Sequence, residues 1–357
     1  MIWKWQRQCL AWEEMEVLNK VYRLAGIKRF EACFQDNEIY SDTVVVRPDF
    51  LSICKADQRY YQGKRPAETM RSKLPMALVH EGIGHVVYSA SGKVKEGQHV
   101  VMMPNIPGKN DGITAENYRT DSLFRSSSFD GYTQELVYMP EERVMALPET
   151  LDSYVASFTE LVSVSFHAVK RLAGFSHQRK GHIAVWGDGN LGYITTLLIK
   201  KMLPGTYVTV CGASEEKLDR FTFADQVLLT DSIPGGFKTD HAVECVGGNY
   251  AEDAIGQIIQ HICPEGTVAL MGVSEFPPKI NTRMVLEKGL RIFGSSRSGR
   301  EDFEGVLKIY QEDCSIPAYL GSLVNNVIEA SGVADITDAF EEDAKTRIGK
   351  TVIRWRA

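Results

Sequence analysis

Cysteine is sparse and scattered in this sequence. The 357 residues contain seven, at positions 9, 33, 54, 211, 245, 263 and 314, and no two of them share a C-x-x-C spacing. An odd, dispersed set in a chain of this length argues against a disulfide framework and fits a reducing cytoplasm. Long apolar runs are missing as well: none approaches the ~18 residues that a membrane-spanning helix needs, so no membrane partner is expected. Positive charge is not in excess. Lys+Arg number 40 against Asp+Glu 46, a formal net charge of -6, which speaks against general nucleic-acid binding through basic patches. Repeats and low-complexity segments are absent. The opening residues, MIWKWQRQCLAWEE, lack the apolar centre and small-residue cleavage site of a signal peptide. Residues 1–18 are set aside as an N-terminal extension.

What is there is an ordinary globular composition, 44% hydrophobic and 24% charged, long enough for two domains or for one inserted in another. From Asn19 to about residue 145 the texture is short β-rich runs (DTVVVRPDF, ALVHEGIGHVVY, GQHVVMMP, YTQELVYMP) punctuated by Gly and Pro, as in a small barrel-like β domain. A polar excursion from Pro104 to Gly131 interrupts it, and a loop of that length is usually functional or an interface. Beyond Leu151 the texture changes to strands alternating with helices: HIAVWG, GYITTLLIKKML, YVTVCG, SEEKLDRFTF, QVLLT, DHAVECVGG, AEDAIGQIIQHI, TVALMG, RIFGSS. That alternation calls for an α/β fold with a doubly wound parallel sheet. The chain then gives a helix, EDFEGVLKIYQ, and ends in a strand-like KTVIRWR.

The run Gly187-Asp188-Gly189-Asn190-Leu191-Gly192 follows the strand IAVW and opens a helix. A bare G-x-G-x-x-G is weak evidence, but this one sits where dinucleotide binding requires it. The first glycine permits the tight turn, the second lets backbone amides approach a pyrophosphate, and the third allows close helix–strand packing. The second strand should choose the nicotinamide cofactor. Twenty residues past Gly192 stands Gly212, with Ser214 and Lys217 beyond it and no carboxylate at that position. A hydroxyl and an ammonium favour a 2′-phosphate, hence NADP(H) over NAD(H), although Glu215 and Glu216 beside Lys217 also fit a merely solvated helix face.

Within VHEGIGHVVY, His80 and Glu81 form an adjacent pair in an apolar run, and burying such a pair costs free energy unless something compensates it. Cys54 in SICKADQRYY and Glu160 in FTELVSVSFHAV are candidates to join them. A lone cysteine is usually a small core hydrophobe, and a glutamate at a helix start is usually a solvated cap. Together, a thiolate, an imidazole and one or two carboxylates make a catalytic zinc site with one place left for water or substrate. Asp57, three residues after Cys54, could orient His80.

On these residues the chain resembles the zinc-dependent medium-chain dehydrogenase/reductase family. That family places a cysteine ligand, a G-H-E-x-x-G signature and then a glutamate or cysteine ligand ahead of a Rossmann core, matched here by Cys54, by His80, Glu81 and Gly84, and by Glu160. The segments CKADQRYYQGKR, FDGY, WGDGNLGYI, HAVECVGG, MGVSEF and LEKGLRIFGSSRSGREDF look like its ribulose-5-phosphate reductase branch, over essentially residues 19–357. The resemblance implies a GroES-like β-barrel over 19–155 and 301–357, with a Rossmann NADP-binding domain over 156–300. It also implies one catalytic zinc, whose resting carboxylate is either Glu81 or Glu160. The reaction implied is NADPH-dependent reduction of ribulose 5-phosphate to ribitol 5-phosphate for teichoic acid or capsule synthesis. A homodimer and a ribitol-5-phosphate cytidylyltransferase as pathway partner are implied too. Two departures stand out. Val79 replaces the usual glycine before the histidine, and Ala56 replaces a hydroxyl residue used for proton relay, so a relay through water, Glu160 or another group is expected. The excursion that often carries four cysteines has none, so no structural zinc is expected.

A sugar phosphate needs cations near the metal. Arg59, Lys64 and Arg65 follow Cys54, while Arg297 and Arg300 follow a strand whose C-terminal end should face the cofactor cleft; Tyr60 is a candidate pocket wall. Two rivals remain at this stage: an NAD-dependent polyol dehydrogenase acting on unphosphorylated sugar alcohols, and a sensor that binds NADPH without turnover.

Overall fold

The computed structural model describes residues 17–357. The N-terminal extension read as residues 1–18 therefore runs two residues too far, because the strand Val17–Gly26 already pairs antiparallel with Arg29–Asn37; residues 1–16 lie outside the described residues. The β domain is built on the strand Thr43–Ser52, which pairs antiparallel with Glu81–Ser89 on one edge and with Lys350–Trp355 and Val137–Pro140 on the other. Lys350–Trp355 in turn pairs parallel with Val324–Ala330, so the last strands of the chain close a sheet begun near its start. Continuous apolar stretches such as TVVV are buried on both sides, whereas Arg29–Asn37 alternates between exposed and covered positions.

The second domain is a six-stranded parallel sheet. Its order runs Gln226–Leu229, Tyr207–Gly212, His182–Trp186, His241–Glu244, Thr267–Leu270, Arg291–Gly294. The chain winds outward in one direction from His182–Trp186, then crosses back and winds outward in the other, which places the topological switch point at the C-terminal end of that first strand. One face is covered by the helices Thr159–Phe175 and Asn190–Met202. The other is covered by Ala251–His261, whose Ala251, Ala254, Ile255, Ile258 and Ile259 recur at helical spacing and lie buried. The return to the barrel passes through the helices Arg300–Glu312 and Ser315–Gly321, and Phe303, Val306, Ile316 and Leu320 share a buried cluster with Thr159–Phe175 and Asn190–Met202.

The excursion from Pro104 to Gly131 is ordered by its own contacts. Arg119 donates to the carbonyl of Gly108 and to Asn110 Oδ1, each at 2.9 Å, and Asn105–Ile106 pairs with Leu123–Phe124. It docks across onto the second domain, where Asn117 Nδ2 donates to the Ser296 carbonyl at 3.0 Å and the Arg300 amide to Glu116 Oε1 at 2.6 Å. Among the described residues no helix is long and apolar enough to cross a membrane.

Candidate active site

Cys54 caps the helix Lys55–Tyr61, and Asp57 at its third position turns back to accept from the Cys54 amide at 3.2 Å. The other Asp57 oxygen, Oδ1, accepts from the Val79 amide at 3.2 Å and from Ser126 Oγ at 2.5 Å, and lies 3.3 Å from His80 Nδ1. That contact fixes the imidazole and leaves Nε2 as its free ligand atom. Ligand atoms of Cys54, His80 and Glu81 lie within 4.8 Å of one another. Three non-glycine residues around this cluster have left-handed backbones, Val79 (φ 68), Ser126 (φ 60) and Arg297 (φ 56). For a β-branched valine that conformation is a clear outlier, of the kind that persists where surrounding structure imposes it.

The donor set fits a divalent cation. Burial, with Glu81 nearby, pushes the Cys54 thiol up, so a positive charge is needed to draw off its proton. Glu81 is fully buried; Oε2 lies 2.7 Å from Lys350 Nζ, while Oε1 has no hydrogen-bond partner. One lysine thus offsets part of the charge and an oxygen is left to coordinate. Glu160 is buried beside the cluster but outside the 4.8 Å group, so of the two glutamates considered it is Glu81 that shares the ligand geometry. The Glu160 carboxyl is pushed up to about 7, chiefly by burial and further by Glu81, against the pull of His80.

The five candidate cations separate. Arg59 and Arg65 converge on Glu275 Oε1 from the second domain, at 3.2 and 3.1 Å, and Arg65 also lies over the ring of buried Tyr60. Arg300 is the first residue of its helix, and its guanidinium is engaged by Glu304 and the Glu142 carbonyl. Arg297 has no hydrogen-bond or ion-pair partner among the described residues; its guanidinium lies 4.9 Å over the Phe124 ring, whose centroid is 5.4 Å from that of His80. Lys64 is exposed. Phe124, Ser126 and Lys350 were not singled out in the sequence. The first two lie in the polar excursion without any periodic signal, and the third is a lysine heading an apolar strand.

At the switch point Gly187 has φ 131, and a Cβ there would meet the Cys245 backbone at 2.9 Å, while one on Gly192 would fall 1.9 Å from the Gly187 carbonyl oxygen. Around Gly189 there is open space for a ligand. Asn190 is engaged elsewhere, exchanging hydrogen bonds with the Gly349 backbone, and Leu191 packs on the core. The second strand ends, as read, without a carboxylate of its own, but the glycine loop supplies one. Asp188 reaches there from the glycine loop and accepts from the amides of Ala213 and Ser214. Sequence spacing counted only residues on the second strand itself.

A barrel joined to a doubly wound sheet, with a thiol, an imidazole and a carboxylate clustered beside the glycine loop's domain, defines the medium-chain dehydrogenase/reductase class. Residues 40–149 match the alcohol dehydrogenase GroES-like domain. Ribulose-5-phosphate reductase 1 of Staphylococcus aureus (strain NCTC 8325 / PS 47) is 46% identical over 339 residues, 95% of this chain and 99% of that protein. Ribulose-5-phosphate reductase of Bacillus spizizenii is 47% identical over the same shares. The crystal structure of S. aureus TarJ in complex with NADPH superposes with a TM-score of 0.85 at 42% identity, covering 96% of this chain and all of that one. The chain belongs to the ribulose-5-phosphate reductase family.

Proposed function

We propose that this protein uses NADPH and one zinc ion to reduce D-ribulose 5-phosphate to D-ribitol 5-phosphate. The observation that carries the reading is the 46–47% identity to ribulose-5-phosphate reductases over 99% of their length, with Cys54, His80 and Glu81 grouped as a metal site requires. Zinc held there supplies Lewis acidity at the substrate carbonyl oxygen, and NADPH supplies the hydride. Asp57 holds the His80 ring in orientation, and Lys350 holds Glu81. Arg297, whose guanidinium has no hydrogen-bond or ion-pair partner among the described residues, is suited to a phosphate carrying about two negative charges at neutral pH. Ala56 offers no hydroxyl, so the proton that completes the alcohol comes through water, from Glu160, whose buried carboxyl is pushed up to about 7, or from another group.

By resemblance alone, the reading extends to a cytoplasmic homodimer whose product feeds a ribitol-5-phosphate cytidylyltransferase in teichoic acid or capsule synthesis. The test is NADPH oxidation with ribulose 5-phosphate, measured alongside zinc content and against sorbitol and xylitol. Turnover confined to the phosphorylated ketose and proportional to zinc is expected. Equal activity on the unphosphorylated polyols with NAD, or dinucleotide binding without any turnover, would contradict the proposal.

A further inference from the structure

The C-terminal end of the strand Tyr207–Gly212 is where a Rossmann fold reads the adenosine ribose. Here that place is taken by a side chain from the glycine loop. Asp188 Oδ2 accepts from the Ala213 amide at 2.9 Å and from the Ser214 amide at 3.0 Å, and Oδ1 lies 3.4 Å from Lys217 Nζ. Gly212 makes room for it, since a Cβ on that residue would stand 2.7 Å from Asp188 Cβ. Ala213 is exposed and Ser214 and Lys217 are half-buried, so the seat opens to solvent. Its donors are those a phosphate monoester calls for: two amides, an ammonium, and a Ser214 hydroxyl that makes no capping bond. An internal carboxylate thus sits among groups suited to a larger anion.

We propose that Asp188 competes with the cofactor's 2′-phosphate for this seat and so limits the preference for NADPH over NADH, an inference that rests on the NADPH reading above. A 2′-phosphate must either displace the carboxylate from three contacts or lie beside it. At about 5 Å, and with a dielectric between those of a protein surface and water, one such like-charge pair is worth on the order of tenfold in affinity. NADH presents a neutral 2′-hydroxyl there, which a carboxylate can accept from. The same residue therefore opposes NADPH and supports NADH, while Lys217 acts in the opposite sense.

Fluorescence titration of the zinc-loaded protein with each dinucleotide separates these effects. Asp188→Asn keeps the shape and removes the charge. It is expected to tighten NADPH about tenfold and to leave NADH unchanged or weaker, raising the ratio of affinities at least tenfold. Lys217→Met is expected to weaken NADPH by a similar factor with NADH unchanged; should Asp188→Asn not be recovered folded, that variant decides, and no change in its ratio overturns the proposal. An Asp188→Asn ratio that stays level or falls, in a protein whose wild type binds NADPH, overturns the role of Asp188 and leaves the NADPH reading standing. A wild type that binds neither dinucleotide overturns both.

Discussion

Replacing Asp57 by asparagine keeps the size of the side chain and removes one charge and one acceptor. Oδ1 faces three donors, the Val79 amide, Ser126 Oγ and His80 Nδ1, so the asparagine carbonyl must stay on that side. Its amide nitrogen then points at the Cys54 N–H, donor against donor across 3.2 Å, where Asp57 is fully buried and Cys54 partly so. Leaving one buried amide unsatisfied costs roughly 1–3 kcal/mol, so the urea midpoint of the metal-free variant should fall accordingly. The imidazole meanwhile loses its charged orienting partner, and zinc affinity is expected to drop on the order of 10- to 100-fold, read by competition with a chromophoric chelator. Zinc affinity within twofold of wild type, together with an unmoved midpoint, would refute the role given to Asp57.

Three further outcomes are expected. Arg297→Met should raise KM for ribulose 5-phosphate by roughly 10- to 100-fold, as for one lost charge-assisted bond, while NADPH binding holds; an unchanged KM would place the phosphate elsewhere. Val79→Gly relieves about 1–2 kcal/mol of left-handed strain but gives up roughly 1.5–3 of burial and adds about 0.5–1 of unfolded-chain entropy, so urea titration should register a net loss near 1–2 kcal/mol and not a gain. His241 should make the fold acid-labile. Its Nε2 donates to the Arg179 carbonyl and its Nδ1 accepts from the Thr267 amide, which requires a neutral ring, and burial followed by neighbouring His177 pushes it down to about 4. The unfolded chain takes that proton near 6.5, so this group adds no pH dependence above that value. Below it the unfolded state binds more protons, and stability falls by up to ~2 kcal/mol as pH drops towards 4. Imidazole resonances of His241 that titrate near 6.5 in the folded protein would contradict this.

The glycine loop was legible because its first and third glycines answer separate steric demands, and the His80–Glu81 pair because an ionisable pair in an apolar run has to be compensated. Cys54 and Asp57 were readable as one unit through their helical spacing. What the sequence hid came from tertiary register. Lys350 meets Glu81 only because the last strand pairs with Thr43–Ser52, the common neighbour of Glu81–Ser89. Phe124 and Ser126 arrive from a loop with no period to read. Arg59 and Arg65 look free in the sequence and are claimed by Glu275 from the other domain. The helix expected over SEEKLDRFTF spans only Glu215–Leu218, and the carboxylate at the ribose end comes from Asp188.

X-ray absorption on the zinc-loaded protein tests the metal site without relying on turnover. One sulfur at about 2.3 Å with nitrogen and oxygen neighbours at about 2.0–2.2 Å is expected, the sulfur vanishing in Cys54→Ala. A shell of oxygen and nitrogen alone in the wild type, unchanged in that variant, would mean that Cys54, His80 and Glu81 do not hold the ion.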